Sequence, residues 1–275
     1  MGSIRRPDIP ESVKRLVRYR CGFGCVICGS PLVDYDHIDG WAETGEHEPR
    51  RITLLCPSHH AEKTRGLLDK KAVEASNASP ANIRTGRTSP FRIRPELGPV
   101  ELYVGSNVML TTLRAGGPPV SALMVDGESL LQMRADGDAL LVSARVSDPA
   151  GNDLLIVSDN SIEFAATGAC DARVQGRCFS VSRGPGGTAL ELEFTPPSSV
   201  RIVRARLWHH GVRVEITRAG EFTINYVAQI LFSGCTFQNI DAAVLVGSAP
   251  RPMSAAIAFP TPPRMAWGAR GVIEA

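Results

Sequence analysis

The sequence predicts an α+β protein in which a small zinc-stapled unit of two strands and a helix precedes a mainly antiparallel β domain, either a sandwich or a curled sheet. Three observations predict it. Between Cys25 and Lys63, a C-x2-C clip at Cys25 and Cys28 and a C-x2-H clip at Cys56 and His59 flank two short apolar runs, which is zinc-site spacing. From Val100 onward, alternating or apolar segments are separated by the turn sequences ADGD, DPAGN, GPGG and RAGE, as the strands of hairpins are. Between these regions, residues 76–99 are rich in Ser, Pro, Gly and Asn and read as a linker. The expected domains are therefore 1–75, a basic linker 76–99, and 100–275.

The N-terminal elements follow in order. IPESVKRLVRYR opens with Pro10 and Glu11, which suit a first helical turn, and sets Val13, Leu16 and Val17 on one face. Lys14, Arg15, Arg18 and Arg20 occupy the rest of its surface, a face either solvated or in contact with phosphate. CGFGCVICG supplies a glycine-bearing turn able to wrap a metal, with Cys21 as a structural thiol. LVDYDHI reads as a strand ending at Asp36 and His37, residues 39–50 as a polar loop, and ITLLC as a second strand. Pro57 then opens a helix through PSHHAEKTRGLL, and a further helical run reaches about Ala75. So small a unit buries too little core to stand alone, and zinc joining the knuckle to the helix start supplies the missing stability.

In the linker, Arg84, Arg87, Arg92 and Arg94 face a single acid, Glu96, giving either a solvated tether or a basic arm along nucleic acid. Eight or more strands are expected beyond it. ILFSGCTFQNIDAAVLVG reads as strand pairs or as one rung of a β-solenoid, although no period repeats. SAPRPMSAAIAFPTPPRMAW is expected along the surface, and His209 and His210 adjoin a hairpin turn.

Composition narrows the partners. A net charge of +2 gives no whole-chain attraction for nucleic acid, so any such contact needs a local patch. Seven cysteines, an odd number in close-spaced clips, suit a reduced compartment and a metal better than a disulfide framework; Cys170, Cys178 and Cys235 read as buried or idle thiols. The N-terminus lacks the apolar core of a signal peptide and no apolar run is long enough to span a bilayer, so a cytoplasmic protein with no membrane partner is expected.

Four clip residues fill a closed tetrahedral site, which leaves Asp36, His37, His47 and His60 over. His59 and His60 are successive on a helix, about 100 degrees apart, so one can face the zinc and the other an adjoining cleft. A carboxylate with an imidazole suits a divalent cation such as Mg2+, Mn2+, Ni2+ or Zn2+, and a further imidazole suits a general base for water. Metal and base in a basic setting are the apparatus of phosphodiester hydrolysis.

These residues resemble the HNH endonucleases, whose fold is called ββα-metal. The resemblance covers about Arg20 to Leu68 and rests on CxxC, DH at the first strand, and LLCxxH followed by a His and a Lys. It implies that His37 activates water and that Asp36 and His60 hold the catalytic metal. It also matches Cys25, Cys28 and Cys56 to structural-zinc cysteines of the family, with His59 where a fourth usually stands. At Arg51 the family commonly has Asn, which helps position the first histidine. His47 can take over that part, or Arg51 can clamp a phosphate with its planar fork. Lys63 and Arg65, with Arg18, Arg20 and Arg51, are then expected on DNA phosphates.

The expectation is a metal-dependent HNH endonuclease acting on DNA, with structural Zn2+ and a catalytic divalent ion. Its β domain would serve oligomerisation, recognition or regulation, in a homo-oligomer with a bacterial restriction or anti-phage role. The alternative is a catalytically silent, zinc-stabilised nucleic-acid-binding or assembly protein.

Overall fold

The computed structural model describes residues 7–41, 45–94, 99–164, 170–183, 187–195, 198–224, 228–230, 234–249 and 253–260. It is α+β, with few helices and mostly β-sheet. The chain forms two compact units: the first is Met1–Phe91 with Ser161–Val174, and the second is Arg92–Asn160 with Gln175–Ala275.

The first unit begins with α1 (Glu11–Arg20), which turns Val17 into the interior. The strands β1 (Asp34–His37) and β2 (Ile52–Leu55) pair antiparallel, Asp36 opposite Thr53 and His37 opposite Ile52. A single 3-10 turn, Pro49–Arg51, leads into β2. β2 is apolar apart from Thr53, and all four of its residues are buried. Its partners explain why: β1 pairs along one edge, Val26 of the knuckle donates to the Leu54 carbonyl at 3.0 Å, and α1 packs against it. Helices α2 (Pro57–Thr64) and α3 (Lys70–Ala78) follow; Pro57 starts the first, and Asp69 caps the second by accepting from Ala72 N at 2.7 Å. The core is Ile9, Val17, Cys21, Cys25, Val26, Ile52, Leu54, Leu55 and Cys56.

Residues 76–91 are not a free linker but part of the first unit. α3 runs to Ala78, and α4 (Ala81–Thr85) ends at Gly86 in the left-handed region. Buried Asn82 donates to Gly22 O at 2.8 Å and fits between Gly24 and Gly29, where a Cβ at either position would lie within 2.5 Å of its amide. Ser89 closes the clasp, its N–H on Gly29 O at 2.9 Å and its hydroxyl on Cys28 O at 2.6 Å. The Ser, Asn and Pro content that reads as a tether here supplies side chains that satisfy the knuckle's backbone.

The N-terminal unit also takes in Ser161–Val174, so its boundary is not at residue 75. Thr88 exchanges backbone and hydroxyl bonds with Ser161 and Ile162 at 2.6 to 2.9 Å. Arg18 forks onto Asp171 at 2.7 and 2.5 Å, and also reaches Tyr35 and Glu11. Arg18 is 4% exposed, which removes it from any phosphate-binding face.

In the second unit, one sheet is the antiparallel meander of β3 (Pro99–Val104) and β4 (Asn107–Thr112) joined to a longer run. The other is built on β5 (Val120–Val125), β6 (Glu128–Asp136), β7 (Ala139–Ser147) and β8 (Asp153–Ser158). β9 (Ser161–Phe164) and most of β10 (Cys170–Gln175) belong to the first unit. The longer run then continues through β11 (Cys178–Arg183), β12 (Gly187–Thr195), β13 (Ser199–His209), β14 (Val212–Ile216), β15 (Phe222–Ile224) and β16 (Ala228–Ile230). β17 (Thr236–Gln238), β18 (Ala242–Val246) and β19 (Ala255–Phe259) complete the chain order. β13 packs against β7, and the alternating Leu140, Val142, Ala144 and Val146 are buried, as are Val200, Ile202, Ala205 and Leu207.

Among the described residues, four strand pairings are parallel: β3 with β13, β4 with β17, β5 with β18, and β18 with β19. Turn signals reveal neighbours in sequence and are silent on these distant pairs. They resolve ILFSGCTFQNIDAAVLVG, whose strands β17 and β18 join different sheets and form no solenoid rung. AAIAF of the proline-rich stretch is strand β19; residues 250–252 and 261–275 lie outside the described residues. No described helix is long and apolar enough to cross a membrane.

Two predictions follow from buried charge. Asp171→Ala strands the Arg18 guanidinium in the interior and is expected to cost about 3–5 kcal/mol, read by denaturant unfolding of the zinc-loaded chain. His209 is buried at the end of β13 with its Nε2 unbonded, and burial, then His210 stacked at 4.0 Å, holds its pKa below 6.5. The folded state therefore binds fewer protons than the unfolded one. Stability is full above about pH 6.5 and falls as pH drops through the lowered value. The protection of amides in β13 and β14, corrected for the slower intrinsic exchange at lower pH, is expected to fall across that window in the native protein and to stay level in His209→Phe.

Candidate metal centre and its neighbourhood

Cys25 and Cys28 lie in the knuckle, Cys56 stands at the N-cap of α2, and His59 is in that helix's first turn. Their donor atoms all lie within 4.8 Å of one another. His59 Nδ1 is 3.4 Å from Cys25 Sγ and 3.2 Å from Cys56 Sγ, and the Cys28 and Cys56 sulfurs are 3.7 Å apart. A tetrahedron with zinc–sulfur bonds of about 2.3 Å has sulfur–sulfur edges of about 3.8 Å, close to the 3.7 Å between Cys28 and Cys56, so the cluster could hold zinc. Desolvation, reinforced by the Cys25 and Cys56 thiols, pushes Cys28 up to about 12. A Cys28 thiol held this high gives up its proton when a cation takes its place, as zinc does.

The neighbouring His60 points elsewhere. Its Nε2 lies 3.5 Å from Asp36 Oδ1, while Lys63, one turn along α2, places Nζ on Asp36 Oδ2. The same Nζ donates to His37 O at 2.7 Å, joining the carboxylate to the next residue of the strand. Asp36 and His37 are 9% and 4% exposed, and both are held by the β1–β2 register.

His37 Nε2 and His47 Nδ1 are 3.2 Å apart, and His47 Nε2 is 3.1 Å from Pro7 O. A carbonyl only accepts. A neutral His47 therefore donates from Nε2, accepts at Nδ1, and makes His37 Nε2 the donor; Nδ1 is then the basic nitrogen of the neutral His37 ring. Trp41 meets His37 edge-on at 5.3 Å and lies 4.6 Å from the His47 ring.

Arg51 grips Asp39 with two guanidinium nitrogens and reaches Glu74 of α3 at 3.4 Å. Lys70 also bonds Asp39. With Arg51 first and Lys70 second, these cations hold the Asp39 carboxyl at about 2. Arg51 is therefore not poised as a phosphate clamp. Arg20 bonds the Pro49 and Ile52 carbonyls and Asn77, stapling the 3-10 turn to α3, so it too is spent inside the unit. Arg65 is exposed at the end of α2.

Thus Asp36, His60 and Lys63 come together, as do His37 and His47, while Arg18, Arg20 and Arg51 serve the fold. Sequence reasoning passed over Asp39, Trp41, Lys70 and Glu74. An acid two residues after His37 was a visible signal, but its cations come from segments far along the chain. No known protein family, curated protein or solved structure matched the chain.

The zinc reading predicts one zinc per chain with three sulfurs at about 2.3 Å and one nitrogen at about 2.0 Å in the X-ray absorption spectrum. Cys28→Ser is expected to hold much less zinc, and chelation to abolish amide protection in β2 and α2, measured by hydrogen exchange.

Proposed function

We propose that the chain is a metal-dependent endonuclease of the HNH type that hydrolyses DNA phosphodiesters. The observation that carries it is the Asp36–His60 contact at 3.5 Å beside the His37–His47 pair, on a hairpin and helix joined by a zinc-compatible cluster. In this reading His37 takes the proton of the attacking water at Nδ1, its ring held by His47 and, through it, by Pro7 O. Asp36 and His60 would hold the catalytic divalent ion, a mixed oxygen and nitrogen set suited to Mg2+, Mn2+, Ni2+ or Zn2+. When bound, such an ion supplies charge neutralisation at the scissile phosphate and leaving oxygen. Lys63 steadies the second Asp36 oxygen, and exposed Arg50, Arg65, Lys71, Arg84 and Arg87 are among the described side chains of the unit open to backbone phosphates. The β unit would serve target recognition, oligomerisation or restraint, in a restriction or anti-phage setting.

A second reading, a catalytically silent zinc-stabilised binding or assembly protein, draws on Lys63, whose ammonium already neutralises Asp36. Supercoiled plasmid separates the two. Full-length protein at matched zinc content is expected to nick DNA with Mg2+, Mn2+ or Ni2+ and not with EDTA, and His37→Ala to lose about 10²–10⁴-fold in rate. Binding without cutting under every metal, by native protein and variant alike, would favour the silent reading.

A further inference from the structure

The turn after His37 is held more firmly than a surface loop needs to be. Gly40 N donates to His37 O at 3.0 Å, with Gly40 in the left-handed region that the turn demands. Ile38 N donates to Arg51 O at 2.9 Å. Arg51 grips this turn twice, by its carbonyl at Ile38 and by its guanidinium at Asp39. The Asp39 side chain is only 10% exposed although it carries full charge, and it lies between cations from two different elements: Arg51, just before β2, and Lys70, at the first turn of α3. One carboxylate therefore ties the turn, the strand entrance and a helix together, two residues from His37. Trp41, at the far side of the same turn, lies against both imidazoles.

We infer that Asp39, clamped between Arg51 and Lys70, is a positioning residue for His37, fixing the turn that keeps His37 Nε2 against His47 Nδ1. This rests on the nuclease reading for its catalytic consequence and on geometry alone for its structural one. Removing the carboxylate takes from Arg51 and Lys70 the anion they share in the turn; the remaining contact of Arg51, to Glu74 of α3 at 3.4 Å, does not hold the turn, which loosens. A displacement of about 1 Å at a reacting group is enough to cost on the order of 10²-fold in rate.

The test uses the full-length, zinc-loaded chain. Asp39→Asn keeps the side chain's shape and removes its charge. It is expected to lower kcat on plasmid by about 10–100-fold with KM within about threefold, and Asp39→Glu to recover part of the loss. The activity-independent readout is the ring proton shared by His37 and His47, followed in protein carrying isotope-labelled histidine. It is expected to be protected from solvent exchange in the native protein and to exchange rapidly in Asp39→Asn. A shared ring proton as protected in Asp39→Asn as in the native chain overturns the inference, whatever the cleavage rate. If the native protein cuts no DNA with any metal, the nuclease reading falls, and the ring proton alone decides the role of Asp39. Should Asp39→Asn fail to fold or lose its zinc, the same comparison is made on Lys70→Gln, at a half-exposed position, where faster ring-proton exchange supports the inference and native protection overturns it.

Discussion

The convergence of Cys25, Cys28, Cys56 and His59 is the constraint on which the first unit depends. Its main apolar cluster holds nine buried residues among those described, three of them cysteines, a small core for ordering a long knuckle, a hairpin and four short helices. A cation shared by the knuckle and the start of α2 would fix both the position and the rotation of that helix. Once His59 faces the sulfurs, His60 must lie about 100 degrees round the helix and Lys63 one turn further along. Both then reach Asp36 from the side away from the zinc-compatible cluster. The second set of side chains is thus placed by the first.

Carboxylates form the next layer of organisation. Asp36 receives Lys63, Asp39 receives Arg51 and Lys70, and Asp171 receives Arg18, each joining elements that backbone hydrogen bonds leave separate. This use of charge alters the functional argument. Lysines and arginines that a helical pattern assigns to a basic surface are partly consumed inside the unit, and with a net charge of +2 the remaining field is weak. A nucleic-acid contact then depends on exposed side chains such as Arg50, Arg65 and Lys71, which can hold a phosphate backbone without reading bases.

The parts legible in the sequence were those whose cause is local. Metal-ligand spacing at Cys25, Cys28, Cys56 and His59 is a short-range pattern, the apolar run before Cys56 marks β2, and Pro57 marks the start of α2. Hairpin turns likewise announce β6, β7 and β8. What stayed hidden was set by distant partners. Asn82 and Ser89 look like linker residues until the knuckle carbonyls they satisfy are known. Arg18 looks like a solvated helical arginine because the residue that buries it, Asp171, lies 153 positions away. Parallel pairings such as β5 with β18 leave no turn sequence at all.

That long reach carries a physical consequence for the first unit. Closing a chain loop costs entropy that grows only logarithmically with length, so joining Arg18 to Asp171 costs little more than a join across half that distance, about 0.6 kcal/mol by the usual scaling. The order of synthesis adds a second consequence: Glu11, in the first turn of α1, is within reach of Arg18 from the start, whereas the buried Asp171 is available only once Ser161–Val174 has been made. Until then the guanidinium has a largely exposed partner in place of the buried carboxylate that accompanies it in the folded unit. The first unit is thus completed by residues drawn from the middle of the chain, and that interruption is a property of the topology, independent of which reaction the site performs.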